Sequence, residues 1–296
     1  MHRRQAILTA FAAAMMSAAD FSGASALEFT RKAVAYGPRP VNSANLARLR
    51  AYLTAQLKLS GCELIQDRFK SPTPIGDLPM ENIICKLAGS SGRAVVLTGH
   101  YDTKMIPNTG GGDFLGANDG GSSTGFLLEM ARVAAAQQRK DDIYLVFFDG
   151  EEAIGPWSET DGVHGSRHLA DRWEREGFLR KIRALINVDM IGDRDLRILP
   201  EGNSTPSLRQ LIWRAAADLG LSRHFIPERQ LAFIEDDHAP FLRKGVPACD
   251  LIDFDYGPAN SFWHSPGDTL DKLDAGSLDV VGRVMMEVLK RLGALP

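Results

Sequence analysis

The chain has little cysteine, little charge bias and no nucleophile or phosphate-binding motif, and each shortage excludes something. Three cysteines in 296 residues, Cys62, Cys85 and Cys249, are too few for a disulfide framework, and none stands in a CxxC pair. Cys62 and Cys85 flank an expected hairpin and could pair in an oxidising compartment. A net charge of −3 gives no support for binding nucleic acid or an anionic membrane. Ser122, Ser123 and Ser166 lack a nucleophile-elbow sequence, which argues against serine hydrolysis. Gly110-Gly111-Gly112 follows no strand and precedes no helix directly, so it is not a phosphate loop. What remains, at 44% hydrophobic and 24% charged, is an ordinary globular composition, long enough for one large α/β core.

Residues 1–26 read as a cleaved export signal. His2-Arg3-Arg4 is a basic start, residues 6–19 are apolar and small, and Ala24-Ser25-Ala26 fits a signal-peptidase site. The apolar stretch is too short and Ala-rich to span a bilayer well, so no stable membrane span is expected after cleavage. Arg3-Arg4 ahead of apolar residues also fits twin-arginine export. The expectation is a periplasmic or secreted protein whose residues 27–296 form a single catalytic domain.

Along that domain, helical spacing covers most of residues 27–61, with a break at Gly37-Pro38-Arg39-Pro40 and a stop at Gly61. Residues 63–69 and 81–87 read as paired strands, and residues 94–98 as a third. A Gly/Asn-rich loop, 104–116, precedes a helix over about 122–138. Strands follow at 143–148, 184–188 and 247–252, alternating with helices at about 165–177, 205–219 and 277–292. Asp236-Asp237-His238-Ala239-Pro240 reads as a further helix start, with an acidic cap and proline in the first turn. This alternation predicts an α/β fold with a central twisted mixed sheet and helices on both faces.

The stretch IYLVFFDGEEAIGPW, residues 143–157, organises the rest. Its apolar run is a buried strand, and Glu151 and Glu152 follow at the strand end, where ligands collect in open α/β sheets. Adjacent side chains diverge, so one carboxylate could ligate a metal while its neighbour carries a proton. His100, Asp119, Asp189 and His264 fall in or beside loops expected at the same sheet edge. Singly, each has a bland explanation: a structural histidine, a helix cap, a strand end, an exposed loop residue. Together they are what a zinc site needs.

The segments TGHYDTK, GANDGGSSTGFLLEMAR, FFDGEEA, GSRHLA, NVDMIG and WHSPGDTLDKL make the chain resemble the zinc-dependent aminopeptidase superfamily, which also contains the animal-type glutaminyl cyclases. FFDGEEA with the following Trp157, IEDDHAPFLRKGVP, and the tryptophan before His264 are similar to the cyclase pattern. The resemblance implies one α/β domain and one zinc ion held by Asp119, Glu152 and His264. It implies Glu151 as general acid/base, with Asp189 and Asp236 in a network behind it. It implies Trp157, Trp263 and Glu235 at the substrate. Asn118-Asp119 followed by a Gly/Ser run is more typical of the peptidases, and the 253–262 loop is longer than in animal cyclases.

Three functions follow from these implications. The first is cyclisation of the N-terminal glutamine of peptides or proteins to pyroglutamate, with zinc as Lewis acid. The alternative is a two-zinc aminopeptidase in which His100 and Asp189 join the other three ligands and Asp119 bridges. The third is a non-catalytic exported binding module, against which an intact Glu151 argues.

Overall fold

A computed structural model describes residues 20–106, 112–227, 231 and 233–296. Six strands form one sheet in the order β1-β2-β4-β3-β5-β6. They are β1 Glu63–Ser71, β2 Leu78–Leu87, β3 Ala94–His100, β4 Asp142–Phe148, β5 Ile182–Asp189 and β6 Ala248–Ile252. β1 pairs antiparallel with β2, and β2 antiparallel with β4; β3, β4, β5 and β6 run parallel. The carboxyl ends of four strands therefore open on one edge.

Side-chain alternation explains the apolar runs. Ile143, Leu145 and Phe147 of β4 enter one core cluster, and Tyr144, Val146 and Phe148 enter the other. A sheet covered on both faces needs apolar residues at both parities. The first face is covered by α1 Gly23–Val34, α2 Ala44–Leu59, α3 Gly121–Ala135, α5 Pro206–Asp218 and α7 Ala275–Arg291. The second carries α4 His164–Arg175 and α6 Ala239–Leu242. Truncating a fully buried side chain such as Leu145 to alanine would cost about 2–5 kcal/mol.

The expected mixed α/β domain is present, with differences at particular places. The helix expected from residue 27 starts at Gly23, capped by Ser22, whose side chain accepts the Ser25 N–H. Phe21 is buried, its ring centroid 5.2 Å from that of Phe126. The Ser22 N–H and the Ser25 hydroxyl donate to the buried Glu129 carboxylate at 3.0 and 2.8 Å. A cut after Ala26 would thus remove packed residues; the basic and apolar part of the expected signal, residues 1–19, lies outside the described residues.

α6 has only four residues, its N-cap is His238, and no side chain caps it. Asp236 and Asp237 are therefore not an exposed helix cap; both are buried. Cys62 and Cys85 form a disulfide, with Cα atoms 5.5 Å apart, tying the end of the α2–β1 turn to β2. Cys249 is buried and unpaired. Among the described residues, no helix is long and apolar enough to cross a membrane.

Candidate metal centre and active site

The parallel strand ends deliver the acids and histidines. β3 ends at His100, and Asp102 stands two residues further on. β5 ends at Asp189. β4 ends at Phe148, and the chain turns at Asp149-Gly150 before Glu151 and Glu152. That turn is held from both sides. Asp149 Oδ2 accepts from the Glu81 N–H at 2.8 Å and from Arg50 Nη2 at 2.7 Å. At the start of α4, the Val163 and His164 amides donate to the Glu151 and Gly150 carbonyls, each at 2.7 Å.

Asp119 arrives by a different route, on the loop before α3. The fully buried Arg39 donates to the Leu115 and Gly116 carbonyls at 2.7 and 2.9 Å, pinning that loop. Gly120 follows with φ +75°, and a Cβ there would lie 2.5 Å from the Asp102 carbonyl oxygen. Only glycine permits this backbone and this approach.

Two donor sets meet at Asp119. His264 Nε2 lies 3.1 Å from Glu152 Oε1 and 3.3 Å from Asp119 Oδ2. His100 Nε2 lies 3.2 Å from Asp119 Oδ1 and 3.1 Å from Asp189 Oδ1. In each set, Asp119–Glu152–His264 and His100–Asp119–Asp189, the ligand atoms lie within 4.8 Å of one another. Asp119 Oδ2 is buried and has no hydrogen-bond partner of good geometry. Such an orphan is costly unless a cation takes the lone pair. One imidazole and two carboxylates in a partly open site are a donor set that zinc accepts, so the residues fit the metal.

Charge balance follows from burial. Burial opposes ionisation of Asp119, yet the neighbouring His100 and His264 imidazoles hold its carboxyl well below the usual range. Burial likewise opposes charge on His264, but Asp119 and Glu152 override it and raise its pKa to about 9. Glu151 is pushed well above the usual carboxylate range, first by burial and then by the negative charges of Glu152, Asp236 and Asp237, with His100 opposing. Burial and the charge on Asp189 push Asp236 up to about 6. Glu151 thus holds a proton more tightly than an ordinary carboxylate, beside the ligand candidates.

A cleft of about 440 Å³ opens above, lined by Glu151, Glu152, Asp189 and Asp236 at its base and by Trp157, Trp263, Phe233 and Phe254 at its walls. Trp263 stacks on His264 at 3.9 Å, and Phe254 meets Trp263 edge-on at 4.9 Å. Trp157 lies against Gly162, where φ is +118° and an added Cβ would come within 2.9 Å of the indole. Asp161 holds the Trp157 loop by accepting the Ile154 and Gly155 N–H groups at 3.0 and 2.7 Å.

The structure thus brings Asp119, Glu151, Glu152, Asp189, Asp236, Trp157, Trp263 and His264 to one cleft, with His100 buried behind Asp119 and Asp189. Glu235 also lines it, at the rim, where Arg243 Nη1 donates to its carboxylate at 2.6 Å. Sequence reasoning passed over Asp102, Lys104 and Asp268. Asp102 accepts the backbone N–H groups of Glu151 and Glu152. Lys104 Nζ lies 3.5 Å from Glu152 Oε2. Asp268 accepts the Asn118 and Asp119 N–H groups. Two of the three had a legible signal: HYDTK puts Asp102 and Lys104 two and four residues after His100.

Residues 82–289 match the model of peptidase family M28. The glutaminyl-peptide cyclotransferase of Drosophila melanogaster is 35% identical over 266 residues, covering 82% of this chain and 73% of that protein. The crystal structure of an Acidobacteriales bacterium glutaminyl cyclase superposes with a TM-score of 0.87 at 40% identity, covering 96% of this chain and 99% of that one. A zinc-dependent exopeptidase from Parabacteroides distasonis superposes with a TM-score of 0.81 at 27% identity, covering 91% and 98%.

Proposed function

Because this chain belongs to peptidase family M28, in its glutaminyl-peptide cyclotransferase branch, we propose that the cleft closes the N-terminal glutamine of a peptide into pyroglutamate and releases ammonia. The observation that carries this reading is a protonatable Glu151, buried beside the Asp119–Glu152–His264 donors at the floor of an aromatic cleft. A zinc ion held by Asp119, Glu152 and His264 would polarise the substrate's side-chain amide carbonyl.

The chain's own residues do the rest. Trp157 and Trp263 wall the cleft and orient the glutamine, so that its α-amine lies against its own amide carbon; proximity then supplies much of the rate. Glu151 accepts a proton from the attacking amine and returns it to the departing nitrogen. The new bond joins the α-nitrogen to the side-chain carbonyl carbon, the old C–N bond breaks, and ammonia leaves. The charge of Asp189 raises the pKa of Asp236, whose own charge raises that of Glu151, and Glu235 faces the peptide at the rim. The test is ammonia release from a Gln-initiated dipeptide, with and without a chelator, beside a Leu-anilide control. No ammonia from the dipeptide would overturn the reading.

The His100–Asp119–Asp189 set favours a second reading, a two-metal aminopeptidase with Asp119 bridging. Two tightly held zinc ions per chain together with Leu-anilide hydrolysis would establish it instead.

The proposed place of action is outside the cytoplasm. A basic, then small and apolar start supports export, and the Cys62–Cys85 disulfide supports an oxidising compartment. Burial of Phe21 supports a leader that ends upstream of it, not at Ala26. Amino-terminal sequencing of the exported protein tests this; a start at residue 27 would refute it.

A further inference from the structure

We infer that Asp268 is a positioning residue that sets the metal affinity of the centre by clamping the segment bearing Asp119 to the loop bearing His264. The two oxygens of its carboxylate divide between consecutive amides: Oδ1 accepts the Asn118 N–H at 2.8 Å and Oδ2 the Asp119 N–H at 3.1 Å. Oδ1 also accepts the Tyr256 hydroxyl at 2.7 Å. The side chain is fully buried, so every one of these bonds matters: a buried carboxylate is tolerated only when its lone pairs are satisfied.

Asp268 stands four residues after His264, and the turn between them is stiff. The Asp268 N–H donates to the Ser265 carbonyl at 3.1 Å, and the Ser265 hydroxyl takes the Gly267 N–H at 3.1 Å. The single proton of that hydroxyl is shared between the Ser261 and Phe262 carbonyls, 2.9 and 3.0 Å away. His264 itself has φ +49°, a left-handed conformation that a non-glycine residue keeps only when its surroundings over-determine it. On the other side, the Asn118 side chain ties the Asp119 segment to the chain beyond β5. Its Nδ2 donates to the Met190 carbonyl at 3.1 Å, and its Oδ1 accepts the Gly192 N–H at 2.8 Å. Two proposed ligands, far apart in sequence, thus share one anchor that touches neither ligating atom.

This inference rests on the metal site proposed above, but on neither of the two reactions. The experiment is zinc competition against a chromogenic chelator, with the metal-free melting temperature recorded for each protein. Asp268→Asn puts an N–H₂ where one amide needs an acceptor, and zinc affinity is expected to fall about 10–100-fold, as for orienting partners of metal ligands. Tyr256→Phe keeps the carboxylate but removes one of its supports; it should weaken zinc by about threefold, and it serves if the first variant fails to fold. Zinc affinity unchanged within error in whichever variant folds, while the wild type binds zinc, would overturn the role of Asp268 alone. A wild-type protein that binds no zinc would overturn the metal site itself.

Discussion

Asp102 Oδ1 accepts the backbone N–H of Glu151 at 3.2 Å, so the residue two places beyond β3 fixes the residue proposed to carry the proton. The other oxygen of the same carboxylate takes the Glu152 N–H at 3.3 Å. Held this way, neighbouring glutamates take separate tasks: Glu152 turns to His264, while Glu151 lines the cleft. Glu151→Gln should keep its zinc and its fold and lose about 10²–10⁴-fold in kcat for glutamine cyclisation. Stopped-assay ammonia release with metal analysis checks it; near-normal kcat in the zinc-loaded variant would remove Glu151 from its proposed role.

The pH profile tests the network behind Glu151. Its raised pKa includes the negative charge of Asp236, so neutralising Asp236 lowers it. A base must be unprotonated to work, and activity falls on the acid side as Glu151 takes up a proton. Asp236→Asn should therefore move the acid limb of kcat/KM to lower pH. An acid limb that stays in place means no shared equilibrium.

Metal removal should act on stability as well as on rate. With free zinc at about 100 times Kd, native-state binding adds about 2.7 kcal/mol. For a chain of this size, chelation should lower Tm by roughly 5 °C or more. Elemental analysis of the same sample, reading one zinc or two, separates the cyclase from the aminopeptidase.

Trp157 is 43% exposed and has space to be truncated without opening the core. Trp157→Ala should weaken substrate binding by about 1–2 kcal/mol, a factor of roughly 5–30 in KM, with little change in zinc content or Tm. A KM unaltered by the change would take the indole out of the substrate site.

Glu201 carries a pH signature in stability. Burial opposes its charge, but His238 and the amides of the 201–204 turn hold its pKa at about 2 against an ordinary 4.5. A depressed carboxylate contributes stability above the unfolded value, and that contribution disappears as pH falls from about 4.5 toward about 2. Fully desolvated, such a shift would be worth about 3 kcal/mol; discounted for solvent screening, Glu201→Gln should cost roughly 1–2 kcal/mol at pH 7. Urea unfolding at pH 7 and pH 3 should show the difference from wild type shrinking at the lower pH. A difference independent of pH would mean that the loss is packing, not charge.

Much of this was legible because strands buried on both faces write themselves as apolar runs. β3, β4 and β5 stand out for that reason, and their carboxyl ends announce His100, Glu151 and Asp189. Less legible were features made by contact at a distance. Ala24-Ser25-Ala26 looks like a protease site because its residues are small, yet small residues also let α1 lie close against α3. Asp236-Asp237 looks like an exposed cap, because nothing local says that the cleft buries it. Asp268 gives no local sign of its partners, since it acts on amides of another loop. The placement of β2 beside β4 rather than β3 is likewise a long-range choice.

Because His264 lies 112 residues beyond Glu152, no local segment of the chain carries all of Asp119, Glu152 and His264. The pairing that unites them is long-range and parallel, the slow kind to close. The full three-residue donor set exists only once the strand ends along that edge are assembled. A chain that misplaced β6 would leave His264 away from Asp119 and Glu152 and would hold the ion less tightly, so metal retention would report on completion of the sheet edge.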